Sequence, residues 1–107
     1  MAKEMNVVGL DIARPVFRVH GVDRHGHAVL QKRLRLSQVE EFFRQVRPCV
    51  IGMEATGGAH YWAQILTSLG HEVRLMPPQS VKPYLKSQRN GTHDAEAICK
   101  AVNDSMT

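Results

Sequence analysis

The sequence predicts a single α/β domain built on a mixed sheet with flanking helices. Its first third alternates between apolar and polar residues around one turn signal, as an antiparallel meander does. Its middle has the order strand, helix, strand, which is typical of parallel strands joined by a right-handed crossover. A chain of 107 residues with 43% hydrophobic residues has enough apolar material for one core.

Three strands make up the predicted meander. Residues 6–12 alternate between two faces, and Asp11 shares its face with Gly9. A second strand is predicted over residues 17–21, and the polar cluster that follows it is typical of a hairpin turn. The third strand returns over residues 28–36. This part of the chain should therefore form one antiparallel ribbon.

Three helices are predicted to cover the sheet. Ser37 and Glu40 match a capping box at the start of the first helix. The second helix follows the turn at 57–58 and ends just before Gly70, and Thr92 can cap the last. The apolar faces of these helices consist of Val39, Phe42, Phe43 and Val46, of Trp62, Ile65, Leu66 and Leu69, and of Ala95, Ile98, Cys99 and Val102.

Two strands of the prediction end on a carboxylate. Residues 7–11 read Val-Val-Gly-Leu-Asp and residues 50–54 read Val-Ile-Gly-Met-Glu, and a further strand is predicted over residues 72–76. If the first two strands are parallel neighbours, Asp11 and Glu54 meet at the sheet edge where open α/β sheets bind ligands. The acids are therefore expected to share a cation.

The chemistry of close carboxylates favours magnesium in this role. Carboxylates that repel one another are stabilised by a divalent cation, and Mg²⁺ uses few protein oxygens together with substrate phosphates. The glycines two residues before Asp11 and Glu54 are expected to leave room for an ion, a water or a phosphate. Asp94, at the start of the last helix, can supply a third carboxylate for metal-dependent phosphoryl transfer.

Each of these acids also has a simpler structural explanation. Asp11 could cap a turn, Glu54 could pair with an arginine, and Asp94 could be a first-turn acid that interacts with the helix dipole. The residues alone leave both interpretations open.

Composition indicates the cellular compartment of the protein and the charge of its partner. Cys49 and Cys99 fall on apolar positions, as buried thiols in a reducing compartment do, so neither a disulfide nor a zinc site is expected. The sequence has no signal peptide core and no apolar run of roughly 20 residues. We therefore expect a cytoplasmic protein without a membrane partner. The formal charge of +4 favours a polyanionic partner.

Four segments together resemble one known family. They are Val-Val-Gly-Leu-Asp-Ile-Ala-Arg (7–14), Met-Glu-Ala-Thr-Gly-Gly-Ala-His-Tyr-Trp (53–62), Val-Lys-Pro-Tyr (81–84) and His-Asp-Ala-Glu-Ala-Ile (93–98). In this order they resemble the DEDD transposases of insertion-sequence family 110.

The resemblance implies a RuvC-like, RNase H-type domain with a mixed five-stranded sheet. In this family four acids bind Mg²⁺, for which Mn²⁺ can substitute, and act on DNA strands. Asp11 would be the first acid, Glu54 the second and Asp94 the last. The resemblance also implies DNA as partner, a structured guide RNA, and a homo-oligomer in the full-length protein.

The chain departs from the family pattern at one acid. The family has Asp three residues before its last acid, where this sequence has Gly91. Glycine offers no ligand, so the site would lose one carboxylate and bind magnesium more weakly.

The resemblance also implies a longer protein. Family members continue into a helical segment and a C-terminal domain with a nucleophilic serine. Residues 1–107 are therefore expected to be a truncated N-terminal domain, in which Ser37 and Ser105 match no such motif.

Basic residues follow the predicted strands in a connector expected to be helical or irregular. Lys82, Lys86 and Arg89, with Lys100 nearby, could hold a phosphate backbone, although a solvated surface explains them equally well. Tyr84 could stack on a base or simply pack.

The remaining aromatic and histidine candidates have simpler explanations. Trp62 is expected in the core, and His25 and His27 in an exposed turn. His60 belongs to the family motif without an assigned role.

Three functions follow from these observations. The first is the catalytic domain of a DNA transposase or recombinase. The second is a degenerate, non-catalytic nucleic-acid-binding remnant of such an enzyme, which Gly91 favours. The third is an RNase H-like domain that binds a nucleotide, for which the only glycine-rich loop is the one at 57–58.

Overall fold

A computed structural model of the protein describes residues 4–12, 15–85 and 94–106. Five strands and four helices are present in these ranges, with a short 3₁₀ turn at Lys82–Tyr84. The strands are β1 (Val7–Asp11), β2 (Val16–Val22), β3 (Ala28–Arg35), β4 (Val50–Glu54) and β5 (Glu72–Met76). The helices are α1 (Leu36–Arg44), α2 (Ala59–Ser68), α3 (Pro78–Val81) and α4 (Asp94–Ser105).

The strands form one mixed sheet in the order β3-β2-β1-β4-β5. The first three strands pair antiparallel, whereas β1, β4 and β5 run parallel. The polypeptide crosses over twice, through α1 between β3 and β4 and through α2 between β4 and β5. This confirms the predicted α/β class with its meander and parallel strands, and it is consistent with an RNase H-like fold.

The two faces of the sheet carry different side chains because strand residues alternate. One face, here called the apolar face, packs against α1 and α2 through large residues such as Leu10, Phe17, Ile51 and Met53. The other, here called the glycine face, carries Val7, Gly9 and Asp11 of β1 and packs against α4. Both clusters are buried, so the sheet is covered on each side.

The predicted core residues lie where the apolar patterns place them. Trp62 is buried on the apolar face and meets Phe17 edge to face at 5.4 Å between ring centroids. Both cysteines are free and buried, and burial raises the pKa of Cys49 to about 11 and that of Cys99 to about 12. Thiols in this state are poor nucleophiles, so both act as core residues.

A buried histidine joins α1 to β4. The backbone N–H of Cys49 donates to Nδ1 of His71 at 3.2 Å, so Nε2 carries the proton and donates to the Phe43 carbonyl at 2.8 Å. Both ring nitrogens are thereby satisfied. His71 has a structural role that the sequence did not indicate.

The predicted start of the first helix is wrong by two residues, because a cap at Ser37 would begin the helix at residue 38. Helix α1 begins at Leu36, and the backbone N–H of Arg35 donates to Oε1 of Gln38 at 2.8 Å. Ser37 is therefore inside the first turn and does not pair with Glu40 as a capping box. The third strand accordingly ends at Arg35. By contrast Gly70, with φ of +100°, ends α2 as predicted.

The turn between β2 and β3 is organised by Asp23. Its Oδ1 accepts the backbone N–H groups of His25 and His27, both at 2.9 Å. The two histidines are exposed, as predicted. Across the described ranges, the helices are all too short or too polar to cross a bilayer.

Candidate active site

Asp11 and Glu54 lie side by side at one edge of the sheet. Strands β1 and β4 pair in parallel with Leu10 opposite Met53, and each acid is the next residue of its strand. Neighbouring strands are about 4.8 Å apart, so the two carboxylates share one edge and one face. The structure thus brings together the two acids that end the repeated strand motif.

Helix α4 brings the third acid to the same place. Asp94 is the first residue of α4, which lies across β1 and β4 on the glycine face. The charge of Asp94 acts on the Asp11 carboxyl strongly enough to change its pKa. The structure therefore brings Asp94 and Glu54 close enough for both charges to act on Asp11.

The glycines before the acids do not provide space for an ion. A Cβ on Gly9 would overlap the carbonyl oxygen of Ala95 and would lie 2.6 Å from the backbone nitrogen of Cys99. A Cβ on Gly52 would overlap the side chain of Val102. The prediction of room for a ligand is therefore wrong, because the glycines let α4 approach the strands at backbone distance.

The Asp11 carboxyl has an unusual protonation equilibrium. Burial first, and then the negative charges of Asp94 and Glu54, raise the pKa of Asp11 to about 6, while Arg18 opposes the increase. A half-buried acid among like charges is costly to ionise. The neighbouring charges of Asp94 and Glu54 thus disfavour the ionised form of Asp11, and the simpler explanation of Asp11 as a turn cap does not account for this.

The donor set suits a hard cation without forming a complete cage. Carboxylate oxygens are what Mg²⁺ and Mn²⁺ prefer, and these ions take further oxygens from water and phosphate. Within the described ranges, no three His, Cys, Asp or Glu side chains lie close enough together to hold one metal ion. Gly91, at the position of the family's third acid, lies outside the described residues together with Thr92.

The predicted nucleic-acid-binding residues are only partly described. Lys82 begins the 3₁₀ turn and is exposed, whereas Lys86 and Arg89 lie outside the described residues. Tyr84 donates its hydroxyl to Asp104 at 2.6 Å and packs beside the α4 cluster. This favours the packing role for Tyr84 over base stacking.

Other sequence candidates are exposed or have local partners. His60 is exposed on α2. Ser105 donates its hydroxyl to the Val102 carbonyl within α4 at 2.7 Å. Lys100 pairs with Glu96 on the same helix at 3.3 Å. These contacts leave the three acids as the main candidate residues.

Sequence reasoning missed Arg18, which is the cross-strand partner of Asp11. The next residue across the sheet, Arg33 on β3, pairs with Arg18 in turn. A signal was present, because both arginines interrupt strand segments with charge. Without the strand register, however, nothing connected them to the acids.

Comparison with known proteins shows that the sequence is similar to those of transposases, although no family model matches the chain. Over 96 residues the chain is 57% identical to a Pseudomonas aeruginosa protein described as a probable family 20 transposase, and it covers 28% of that protein. It is 38% identical over 99 residues to the Yersinia enterocolitica transposase for insertion sequence element IS1328, with 30% of that protein covered.

A third relative is also an insertion-sequence transposase. Over 101 residues the chain is 35% identical to the Coxiella burnetii transposase for insertion sequence element IS1111A, and it covers 28% of that protein. These matches take in 90% to 94% of this chain and only about three tenths of the relatives. The chain is thus homologous, over nearly all of its length, to a part of insertion-sequence transposases.

Proposed function

We propose that this chain is the N-terminal, RuvC-like catalytic domain of a DEDD transposase of insertion-sequence family 110. The observation that carries the proposal is the coupled group of Asp11, Glu54 and Asp94 at one edge of an RNase H-like sheet. The similarity to transposases supports it. The reaction would be metal-dependent cleavage and transfer of DNA strands during transposition or recombination.

Each acid has a specific role in this proposal. Asp11 and Glu54 would hold Mg²⁺ or Mn²⁺ from two adjacent strands, and Asp94 would complete the set from α4. A metal ion held by these residues would supply Lewis acidity to the oxygens of the reacting phosphodiester. The rigid contact of α4 with Gly9 keeps the acids of strand and helix in a fixed relation. Lys82, Lys86 and Arg89 would contact the DNA backbone.

The wider assembly follows from the same family assignment. DNA is the substrate, a structured RNA guides the choice of site, and the full-length protein acts as a homo-oligomer. The two free, buried cysteines suit the reducing cytoplasm, where we place the protein.

Isothermal titration with Mg²⁺ and Mn²⁺ tests the shared metal site. We expect binding heat for the wild-type chain, at least about ten-fold weaker binding for Asp11→Ala, and tighter binding for Gly91→Asp, which restores a carboxylate. Asp23→Ala, which removes an acid from the distant hairpin turn, serves as the matched control. Identical heats for wild type, Asp11→Ala and Gly91→Asp would refute the site.

The second candidate is a non-catalytic nucleic-acid-binding remnant of such a transposase. Gly91 favours it, because the missing carboxylate weakens the metal site. This candidate requires DNA or RNA binding that declines steeply with salt and is unchanged by EDTA. Nucleic-acid cleavage that depends on Mg²⁺ and is lost in Asp11→Ala would exclude it.

A further inference from the structure

Two arginines face each other across the β2–β3 ribbon. Arg18 and Arg33 are direct cross-strand partners. The apolar face takes Phe17, Val19 and Leu34 from these strands, so both arginines project from the glycine face. Like charges directly opposite on antiparallel strands destabilise the pair. An anion bound between them would remove this repulsion.

The two arginines line a groove of about 330 Å³ between the sheet and α4. His20 and Gln31 form part of its floor, and Ala95 and Glu96 of the first turn of α4 form one wall. Glu96 is the acid of this groove, and Lys100 balances its charge in an ion pair of 3.3 Å. The groove therefore has an excess of positive charge from Arg18 and Arg33, and Lys32 is a further basic residue of its lining.

This groove continues directly from the proposed metal site. One row across the sheet contains Glu54 on β4, Asp11 on β1, Arg18 on β2 and Arg33 on β3. At about 4.8 Å between strands, the arginines lie on the order of 5 to 10 Å from Asp11. A nucleic-acid strand that places one phosphate at the acids would thus bring a neighbouring phosphate to the arginines.

Protection of the sheet edge does not explain both arginines. Charged side chains on an edge strand prevent pairing with other molecules, and β3 is an edge strand of this sheet. That argument accounts for Arg33. It does not account for Arg18, because β2 is paired on both sides.

We propose that Arg18 and Arg33 together bind a backbone phosphate of the DNA strand whose reacting phosphodiester lies at Asp11 and Glu54; the inference rests on the proposed function. Two guanidinium groups can bind one phosphate through paired N–H donors. Such a contact fixes the position of the strand and does not depend on its base sequence. The groove is a DNA-positioning site, and it is separate from the basic segment that contains Lys82.

Fluorescence anisotropy with a labelled single-stranded DNA tests the groove, in EDTA and at several salt concentrations. Arg33→Gln is the main variant because the Arg33 side chain is exposed and lies two strands away from Asp11. We expect about five-fold weaker binding at 0.1 M salt and a salt dependence reduced by about 0.7 in the log–log slope. Arg18→Gln should have the same effect, and the double variant a larger one.

Two controls separate local binding from general charge. Arg24→Gln removes the same charge in the exposed hairpin turn at the far end of β2 and β3, so its binding should equal that of the wild type. Arg33→Lys should retain the salt slope and lose part of the affinity, since it keeps the charge without the fork. Thermal melting confirms that each variant is folded.

Three results would overturn the inference. They are equal losses for Arg24→Gln and Arg33→Gln, unchanged binding for Arg33→Gln, or an Arg33-dependent preference for RNA of the same sequence. Because the assay contains EDTA, its outcome is independent of metal binding. Failure of the metal site would appear only in the titration heats, and failure of the groove only in the anisotropy.

Discussion

The two faces of the sheet use the same strands for different purposes. The apolar face fills the space under α1 and α2 with large side chains, among them Leu10 and Met53. On the glycine face, Gly9 and Gly52 have no side chains, so α4 packs directly against the backbone of the strands. Along β1, residues that pack into the core of the apolar face therefore alternate with residues of the glycine face, which carries the candidate site.

This difference indicates how a small domain combines stability with a charged site. Burial of large apolar side chains supplies most of the stabilising free energy. Close approach of α4 gives little apolar area by comparison, but it fixes Asp94 relative to Asp11. Changes at Gly9, Leu10 and Asp11 should therefore have effects of three different kinds.

The largest loss of stability is expected from Leu10→Ala on the apolar face. Leu10 is fully buried, and removing such a side chain leaves a cavity, so the free energy of unfolding should fall by about 4 kcal/mol. Urea denaturation measures this change. Leu36→Ala is the control, because Leu36 is 51% exposed and should lose less than about 0.5 kcal/mol. At a temperature where the variant is folded, its DNA affinity should equal that of the wild type.

Gly9→Ala should have the next largest effect, of about 3 kcal/mol. The added methyl group overlaps the backbone of α4 at Ala95, which cannot move without displacing the helix. Gly57→Ala is the matched control, since a Cβ there meets nothing within 4 Å. Unlike Leu10→Ala, the Gly9 variant should also lose metal binding in the folded state. Retention of wild-type titration heats would show that α4 does not position the site.

Asp11→Asn should increase stability in the absence of metal. The folded state holds the Asp11 proton up to pH of about 6, above the ordinary value of 3.8, so wild-type stability falls as pH rises through this interval. The asparagine variant lacks this decline. After allowance for solvent screening of a half-buried group, we expect a gain of about 1 kcal/mol at pH 7.5 and almost none at pH 3.5. Thermal melting across this range measures it.

The same change at Asp23 should have a small effect of opposite sign. Hydrogen bonds from the backbone N–H groups of His27 and His25 lower the pKa of Asp23, so its charge stabilises the folded state above the unfolded pKa. Asp23→Asn should therefore lower the melting temperature slightly at neutral pH, and the difference should vanish as pH falls through the lowered pKa. A stabilising Asp23→Asn would mean that charge removal alone explains the Asp11 result.

Much of this fold could be predicted from alternation and turn signals. The repeated motif at 7–11 and 50–54 correctly indicated two strands that end on acids, and the condition that these strands are parallel neighbours is met. Short-range periodicity suffices for this, because it assigns residues to faces. The start of α1 was harder, since Ser37 and Gln38 both offer local capping patterns and only one can form.

Long-range packing explains what the sequence could not show. Gly9 was correctly placed on the face of Asp11, but its function depends on a helix from the other end of the sequence. The Arg18–Arg33 pair depends on the register of the hairpin, which includes a shift between Gly21 and Val22. Neither relation has a local signature.

The contact between β1 and α4 also determines when the group of acids can form during protein synthesis. Cys99 donates its thiol hydrogen to the Val7 carbonyl, and these residues are 92 positions apart. Contacts of this separation slow folding, because a long loop must close before they can form. A ribosome-bound chain that has not yet released α4 cannot unite Asp94 with Asp11 and Glu54. An immature chain therefore carries no assembled acid group near the nucleic acids that surround it.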